Sequence, residues 1–322
     1  MSDATKRSMP IRIGVSMCLL GEKVRHDGGH KRDHYLTHTL AEFFEWVPVC
    51  PEVEVGMGTP REAIHLVQLS GEVRLVGRQS GADHTEAMRS YARRRVEQLA
   101  SENLSGYILK KDSPSCGLER VRLHHGQGRV TRSCRGLFAA ALADRFGNLP
   151  IEEEGRLCDP RLRENWNERV FAYHRLQALW ATRCRIGDLI AFHTSHKFVL
   201  LAHSPQAYQH LGRLVAASKT LPRGELRERY EREFMVALTK LATRGRHTNV
   251  LQHMIGYFRD QLDDASRREL LGCIEDYRRS VVPLIVPITL VTHYVRRFDV
   301  EYLKSQVYLN PHPKELALRN HV

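Results

Sequence analysis

Three cysteines stand directly after short apolar runs that predict β-strands. Cys18 closes the run IRIGVSMC, Cys50 closes WVPVC, and Cys116 lies in the turn after GYILK. Loops that follow neighbouring strands of a parallel sheet meet at one edge, so we expect the three thiols to come together. Three thiolates leave one position open on a tetrahedral metal or on one iron of a cubane cluster. Their distant spacing leaves open the alternative that all three are small buried residues.

The loops around these cysteines also carry acidic, hydroxyl and basic side chains. Cys18 opens CLLGEKVRHDG, Glu52 follows Cys50 in VPVCPE, and Cys116 lies in KKDSPSCG. An acid or a hydroxyl beside an open metal position is able to accept and donate protons. The other cysteines lack such neighbours, and we predict structural roles for Cys134, Cys158, Cys184 and Cys273.

Strand-like and helix-like segments alternate through the first half of the chain. This alternation predicts an α/β domain with a parallel, Rossmann-like sheet, in which Val73–Gly77 is one of the short strands. A helix is predicted over Leu36–Trp46. From Asn165 onward, long segments of 3.6-residue period predict an all-α domain, with Leu189–Ala202 as one of its helices. We therefore expect two domains, residues 1–160 and 161–322.

The composition excludes several classes of protein. Of the 322 residues, 42% are hydrophobic and 27% are charged, which predicts a folded globular chain rather than a disordered one. No apolar stretch approaches eighteen residues, so we expect no membrane span. The first nine residues are polar and lack an apolar segment, which predicts a cytoplasmic protein without a secretory signal. Seven cysteines without a tight framework then indicate ligands, nucleophiles or core residues rather than disulfides.

The positive charge is concentrated in the second half. Residues 1–160 hold 23 Lys and Arg against 21 Asp and Glu, a net charge of +2, whereas residues 161–322 hold 26 against 16, a net charge of +10. Such asymmetry indicates a polyanionic partner for the second half. A solvated basic surface is the alternative.

Three segments of the first half, 16–28, 48–61 and 109–117, resemble the TudS-like thiouracil desulfidases. The resemblance implies a [4Fe–4S] cluster held by Cys18, Cys50 and Cys116, with the fourth iron open. It also implies that the sulfur of a thiolated uracil is removed to leave a carbonyl. In that family a glutamate and a serine near the ligands assist, and the best matches here are Glu52 and Ser113.

Several side chains in the same segments are candidate substrate contacts. We expect Arg25, Lys110 and Lys111 to hold a nucleotide phosphate, although each has a solvated surface charge as its alternative. Ser115 competes with Ser113 for the catalytic role and is otherwise a substrate contact. Asp27 binds a base edge or builds the Asp-Gly turn in which it lies.

In the second half, segments 193–198, 245–254 and 308–316 resemble the YbgA-like domain. Fusions of the two domains are similar to RudS-type proteins, which implies 4-thiouridine in transfer RNA as the substrate. Basic and aromatic residues interleave in this half, a pattern that suits phosphates and unpaired bases. We predict RNA contacts at Lys197, Arg213, Arg244 and Arg246. Its histidines are expected to bond helix carbonyls or phosphate rather than a second metal.

Three hypotheses about function follow. The first is a cluster-dependent desulfidase acting on thiolated uridine in transfer RNA. The second keeps the chemistry but takes free thiouracil or a thiouridine nucleotide. The third is a nucleic-acid-binding sensor whose cluster reports redox state or oxygen. An open iron beside Glu52 favours catalysis, and neither a membrane nor a protein partner is implied.

Overall fold

The computed structural model describes residues 10–258 and 260–316. The chain divides into two compact units, Met1–Cys158 and Asp159–Val322. Within the described ranges, no helix is both long enough and apolar enough to cross a membrane.

In its described part, from residue 10 onward, the first unit combines eight strands with three α-helices. In chain order the strands are β1 (Arg12–Ser16), β2 (Glu45–Val49), β3 (Ile64–Leu69), β4 (Glu72–Gly77), β5 (Leu104–Leu109), β6 (Val121–His124), β7 (Val130–Cys134) and β8 (Ile151–Glu153). The helices are α1 (Pro51–Glu54), α2 (Thr85–Ala100) and α3 (Leu137–Arg145). Short helical turns over residues 17–20 and 35–42 complete the loop between β1 and β2.

The central sheet has the strand order β2-β1-β5-β8, and all of its pairings are parallel. Every residue of β5 is buried, as is typical of a parallel strand covered on both faces. Val15 of β1 lies in register with Pro48 on one side and with Ile108 on the other. The predicted α/β class is confirmed, and the carboxyl ends of β1, β2 and β5 lie at the same edge of this sheet.

A second sheet was not predicted as such from the sequence. It has the order β4-β3-β6-β7, and β3 and β4 form an antiparallel hairpin. The strand predicted at Val73–Gly77 is present but belongs to this sheet. The hairpin turns at Ser70 and Gly71, which both adopt positive φ (49° and 84°), the backbone that two-residue hairpin turns require. A Ser-Gly pair between two alternating runs was therefore the available signal.

The second unit is helical throughout its described part. Its helices are α4 (Pro160–Ala181), α5 (Ile186–Ser195), α6 (Lys197–His203), α7 (Pro205–Ala216), α8 (Arg223–Thr239), α9 (Arg244–Ile255), α10 (Asp264–Arg278), α11 (Ile285–Arg297) and α12 (Glu301–Lys304). One apolar core joins these helices, with Leu176, Phe234, Leu251 and Val291 among its fully buried members. Asp159 caps α4 by accepting the backbone N–H groups of Arg161 and Leu162.

Two predicted helices differ from the structure. The single helix expected over Leu189–Ala202 is broken at His196, where α5 ends and α6 begins. The His196 ring stacks on Phe192 and its Nδ1–H donates to the Phe192 carbonyl at 2.8 Å, so the side chain competes for a backbone acceptor. The helix expected over Leu36–Trp46 is shorter, because β2 already begins at Glu45.

Candidate active site

The three predicted cysteines line one cavity of about 400 Å³. Cys18 lies in the helical turn after β1, Cys50 lies between the end of β2 and the start of α1, and Cys116 lies in the loop after β5. These strands are neighbours in the parallel sheet, which is why sites far apart in sequence converge. Within residues 10–258 and 260–316, no three His, Cys, Asp or Glu side chains are arranged as a ready metal site. The structure thus brings the thiols to one cavity without showing ligation.

Burial governs the state of these thiols. It raises the pKa of Cys18 to about 11, with a further rise from the neighbouring Cys50, while Lys110 and Arg25 act in the opposite sense. Burial likewise raises the pKa of Cys50 and that of Cys116. The thiols are therefore protonated at neutral pH in the absence of a bound cation.

Glu52 is one of two acids that line this cavity, and it is held by Arg61. Helix α1 places Glu52 in its first turn, and one carboxylate oxygen, Oε2, accepts two hydrogen bonds from the guanidinium of Arg61. The two side chains are 15% and 6% exposed, so this is a buried ion pair. Arg61 also donates to the carbonyls of Val24 and Gly58 at 3.1 and 2.8 Å. Arg61 was not predicted as a site residue from the sequence, although it ends the segment that contains Cys50 and Glu52.

Two serines face the other oxygen of Glu52. The Ser115 hydroxyl donates to Oε1 at 2.6 Å, and the Ser113 hydroxyl lies 3.5 Å from the same atom. The two hydroxyl oxygens are 3.0 Å apart. Ser113 also accepts the backbone N–H groups of Ser115 and Cys116, so it shapes the turn as well as lining the cavity. Ser115 is fully buried, whereas Ser113 is partly exposed.

Helix α3 fixes the loop that carries these serines. The N–H groups of Phe138 and Ala139 donate to the Ser115 carbonyl at 3.0 and 3.1 Å. A Cβ at Gly136 would lie 2.5 Å from that carbonyl, and a Cβ at Gly117 would lie 2.8 Å from the carbonyl of Ser113. The loop and the helix therefore approach so closely that only glycine fits at these positions.

The two lysines predicted to contact phosphate differ in whether a carboxylate already pairs with their side chain. Lys110 lines the cavity but forms an ion pair with Glu154, whose other oxygen accepts the backbone N–H of Lys111 at 2.7 Å. The Lys111 side chain is exposed at the cavity and passes across Gly155. Of the two lysines, Lys111 therefore has the more available charge.

Arg25 and Asp27 interact with each other. Arg25 lines the cavity, and its Nε lies 3.4 Å from Oδ1 of Asp27. Asp27 does not line the cavity; it accepts the backbone N–H of Gly29 at 3.0 Å, and this bond is the main cause of its lowered pKa. The structure thus places Asp27 in the turn, at the rim rather than beside the thiols.

Of the predicted RNA contacts in the helical unit, Arg213 on α7 is exposed and Lys197 is partly buried. Nζ of Lys197 lies 3.5 Å from the Tyr257 hydroxyl and 5.7 Å from the centre of the Tyr302 ring. These two tyrosine rings are stacked with centres 5.1 Å apart.

Arg244 and Arg246 have structural partners. Arg244 donates to the Tyr277 carbonyl and Arg246 to the His203 carbonyl, each at 2.7 Å, and both side chains are partly buried. Part of each guanidinium is thus committed to the fold of the helical unit. Any RNA contact they make uses the remaining N–H groups.

Four histidines of this unit, His193, His196, His203 and His247, are hydrogen-bonded within it. Their partners are the Tyr230 hydroxyl for His193, the Phe192 carbonyl for His196, the Lys240 carbonyl and Glu168 for His203, and the Tyr308 hydroxyl for His247. Burial lowers the pKa of His196 to about 3, so this ring is neutral.

With this geometry in place, the chain can be compared with known proteins. Residues 13–154 match the 2-thiouracil desulfurase family, and residues 197–313 match a family described as a protein of unknown function, DUF1722. Residues 13–154, which lie in the first unit, thus form a desulfidase domain with an α/β fold.

Two bacterial proteins are similar to parts of the chain. The chain is 34% identical to the uncharacterized protein YbgA of Escherichia coli K12 over 153 residues, which cover 47% of this chain and 90% of YbgA. It is 36% identical to the uncharacterized protein YbbK of Bacillus subtilis 168 over 110 residues, which cover 33% of this chain and 72% of YbbK. Residues 13–154 therefore belong to the 2-thiouracil desulfurase family, and the chain joins this TudS-like domain to a YbgA-like domain, as its sequence motifs predicted.

A solved structure is also similar to part of the chain. It is described as the [4Fe-4S]-dependent thiouracil desulfidase TudS, with 32% identity over 46% of this chain and 93% of that protein, and a TM-score of 0.37.

Proposed function

We propose that this chain is a [4Fe–4S]-dependent desulfidase that converts 4-thiouridine in transfer RNA to uridine and releases sulfide. The observation that carries the proposal is the convergence of Cys18, Cys50 and Cys116 on one cavity, with Glu52 among its lining residues. The +10 charge of residues 161–322 supports a polyanionic substrate over a free base. We assign the reaction to the cytoplasm, where thiols stay reduced.

The residues present fit the cluster. Among the described residues that line the cavity, three are cysteines, and three thiolates are the number that leaves one iron of a cubane open. Cys18, Cys50 and Cys116 would hold it. When bound, the cluster supplies a Lewis-acidic, sulfur-binding iron. Overall, the thiocarbonyl and water give the carbonyl and hydrogen sulfide, with no net redox change.

The chain's own residues supply proton transfer. Arg61 binds Oε2 of Glu52, so Oε1 remains for exchange with the serine hydroxyls. The hydroxyls of Ser115 and Ser113 connect that oxygen to the cavity. Glu52 accepts the proton of the attacking water through Ser113 and returns one to the departing sulfur. General acid–base groups of this kind contribute on the order of 100- to 10,000-fold.

The test compares substrates on one preparation. Anaerobically reconstituted protein is incubated with 4-thiouridine-containing transfer RNA and, separately, with free 4-thiouracil and 2-thiouracil, and the products are measured by mass spectrometry. We expect kcat/KM to be higher for transfer RNA than for either free base. Cys116→Ala should abolish conversion, and Cys134→Ala, which removes a thiol outside the cavity, should not.

The family that matches residues 13–154 is named for a free base, 2-thiouracil, and this favours the free base as the second candidate substrate. Conversion of free thiouracil alone, with transfer RNA untouched, would replace the proposed substrate by that one. Absence of conversion in every case, with the cluster present, would favour the sensor hypothesis.

A further inference from the structure

The cavity carries more positive than negative charge. Its described lining includes six Lys and Arg side chains against two carboxylates, Glu52 and Asp112. Asp112 is bound from outside the cavity by Arg132, at 3.0 Å. An excess of this kind indicates a ligand with several negative charges.

Half of these cations are already neutralised. The ion pairs are Arg61 with Glu52, Lys110 with Glu154, and Arg25 with Asp27. The other three cations are Lys31, Arg78 and Lys111, and within the described ranges none forms an ion pair with a carboxylate. All three are exposed, so they stand at the mouth of the cavity rather than at its floor.

The three free cations come from different loops. Lys31 lies in the loop after β1, Arg78 directly follows β4 of the second sheet, and Lys111 follows β5. The thiols lie deeper, since Cys50 and Cys116 are 9% and 6% exposed. A uracil ring that reaches them must leave any base stack, and its backbone phosphates then remain at the mouth.

We infer that Lys31, Arg78 and Lys111 bind the phosphodiester backbone of a polynucleotide on either side of the nucleotide that enters the cavity. A free thiouracil carries no phosphate and a nucleoside monophosphate carries one, whereas three unpaired cations match several consecutive phosphates. The inference rests on the proposed function for the identity of the base, and it adds that the first unit itself recognises the nucleic acid strand.

Binding of an unmodified oligonucleotide tests this directly. The full chain is titrated into a fluorescent five-nucleotide oligouridylate, and the dissociation constant is measured by anisotropy between 50 and 200 mM salt. Each phosphate contact on a single strand contributes roughly −0.7 to the slope of log affinity against log salt, so three contacts give about −2. We expect the slope to become less negative by about 2 in the triple variant Lys31→Gln, Arg78→Gln and Lys111→Gln.

The control removes the same charge elsewhere. Arg94, Arg122 and Arg129 are exposed in the first unit and do not line the cavity, so their combined change to glutamine should leave the slope intact. Equal slopes for the two triple variants would overturn the inference. Uridine monophosphate competing as tightly as the oligonucleotide would also overturn it, in favour of a single phosphate site. Because the oligonucleotide contains no sulfur, its binding is independent of desulfurisation, and either proposal can fail alone.

Discussion

Replacement of Glu52 by glutamine separates the structural and catalytic roles of the buried ion pair. Removal of one partner of a buried pair costs about 3–5 kcal/mol, because the other charge is left uncompensated. Here Arg61 keeps the carbonyls of Val24 and Gly58 as acceptors, and glutamine keeps one oxygen. We therefore expect Glu52→Gln to lower the free energy of unfolding by about 2–3 kcal/mol.

The effect on the reaction should be separate from this loss. If Glu52 moves a proton, kcat/KM falls by on the order of 100- to 10,000-fold, or about 3–5 kcal/mol in the barrier. The double variant Glu52→Gln with Arg61→Gln removes both charges but also the hydrogen bonds from Arg61 to the carbonyls of Val24 and Gly58, so we expect it to recover part of the lost stability and none of the activity. The assays are urea unfolding of the cluster-free protein and kcat/KM of the reconstituted protein.

Two results would refute this reasoning. A stability loss below about 0.5 kcal/mol in the single variant would mean that the pair is effectively solvated, as most surface pairs are. Recovery of activity in the double variant would show that Glu52 acts only by balancing the charge of Arg61. The cluster content of each variant is measured by iron analysis, so that a lost cluster is not mistaken for lost catalysis.

The remaining predictions concern the cluster, the sheet and the helical unit. Protein purified anaerobically should bind about four irons and absorb broadly near 400 nm. Replacement of Cys18, Cys50 or Cys116 by alanine should abolish iron binding and this absorption, whereas Cys134→Ala should leave both unchanged. Gly14→Ala should destabilise the first unit by about 3 kcal/mol or more, because the new Cβ would lie 2.1 Å from the buried ring of Tyr107. Urea unfolding measures this loss, and an unchanged free energy of unfolding would contradict the described packing. Lys197→Ala and Arg213→Ala should each reduce the salt slope of transfer RNA binding by about 0.7 if they contact phosphate, and slopes equal to the wild type would remove them from the interface.

The sheet that positions the cysteines was predictable because its strands are short, continuous apolar runs. Such runs identify strands buried on both faces, and their parallel order follows from the alternation with helices. The second sheet was harder to predict, since Val130–Cys134 is mostly exposed and polar. The segment Val130–Cys134 forms a strand because it pairs with β6, which in turn pairs with β3, and its own composition does not identify it as a strand.

The site was predictable at the level of residue types and less so at the level of contacts. Cysteines at strand ends converge by topology alone, whereas the partner of Glu52 depends on how the loop that ends in Arg61 folds back. Sequence also could not rank the two serines. Ser115 lies nearer to Glu52, and Ser113 is the one whose hydroxyl also bonds backbone N–H groups.

The contact between α3 and the loop of residues 113–117 has a consequence for changing substrate scope by directed evolution. Gly117 and Gly136 touch no proposed substrate atom, yet backbone lies within 3 Å of where their Cβ atoms would be. Libraries that vary Gly117 and Gly136 should therefore yield mostly misfolded protein. The side chains of Lys31 and Arg78 are exposed, so new nucleic acid specificities are best sought by exchanging these two side chains, with the reaction centre left unchanged.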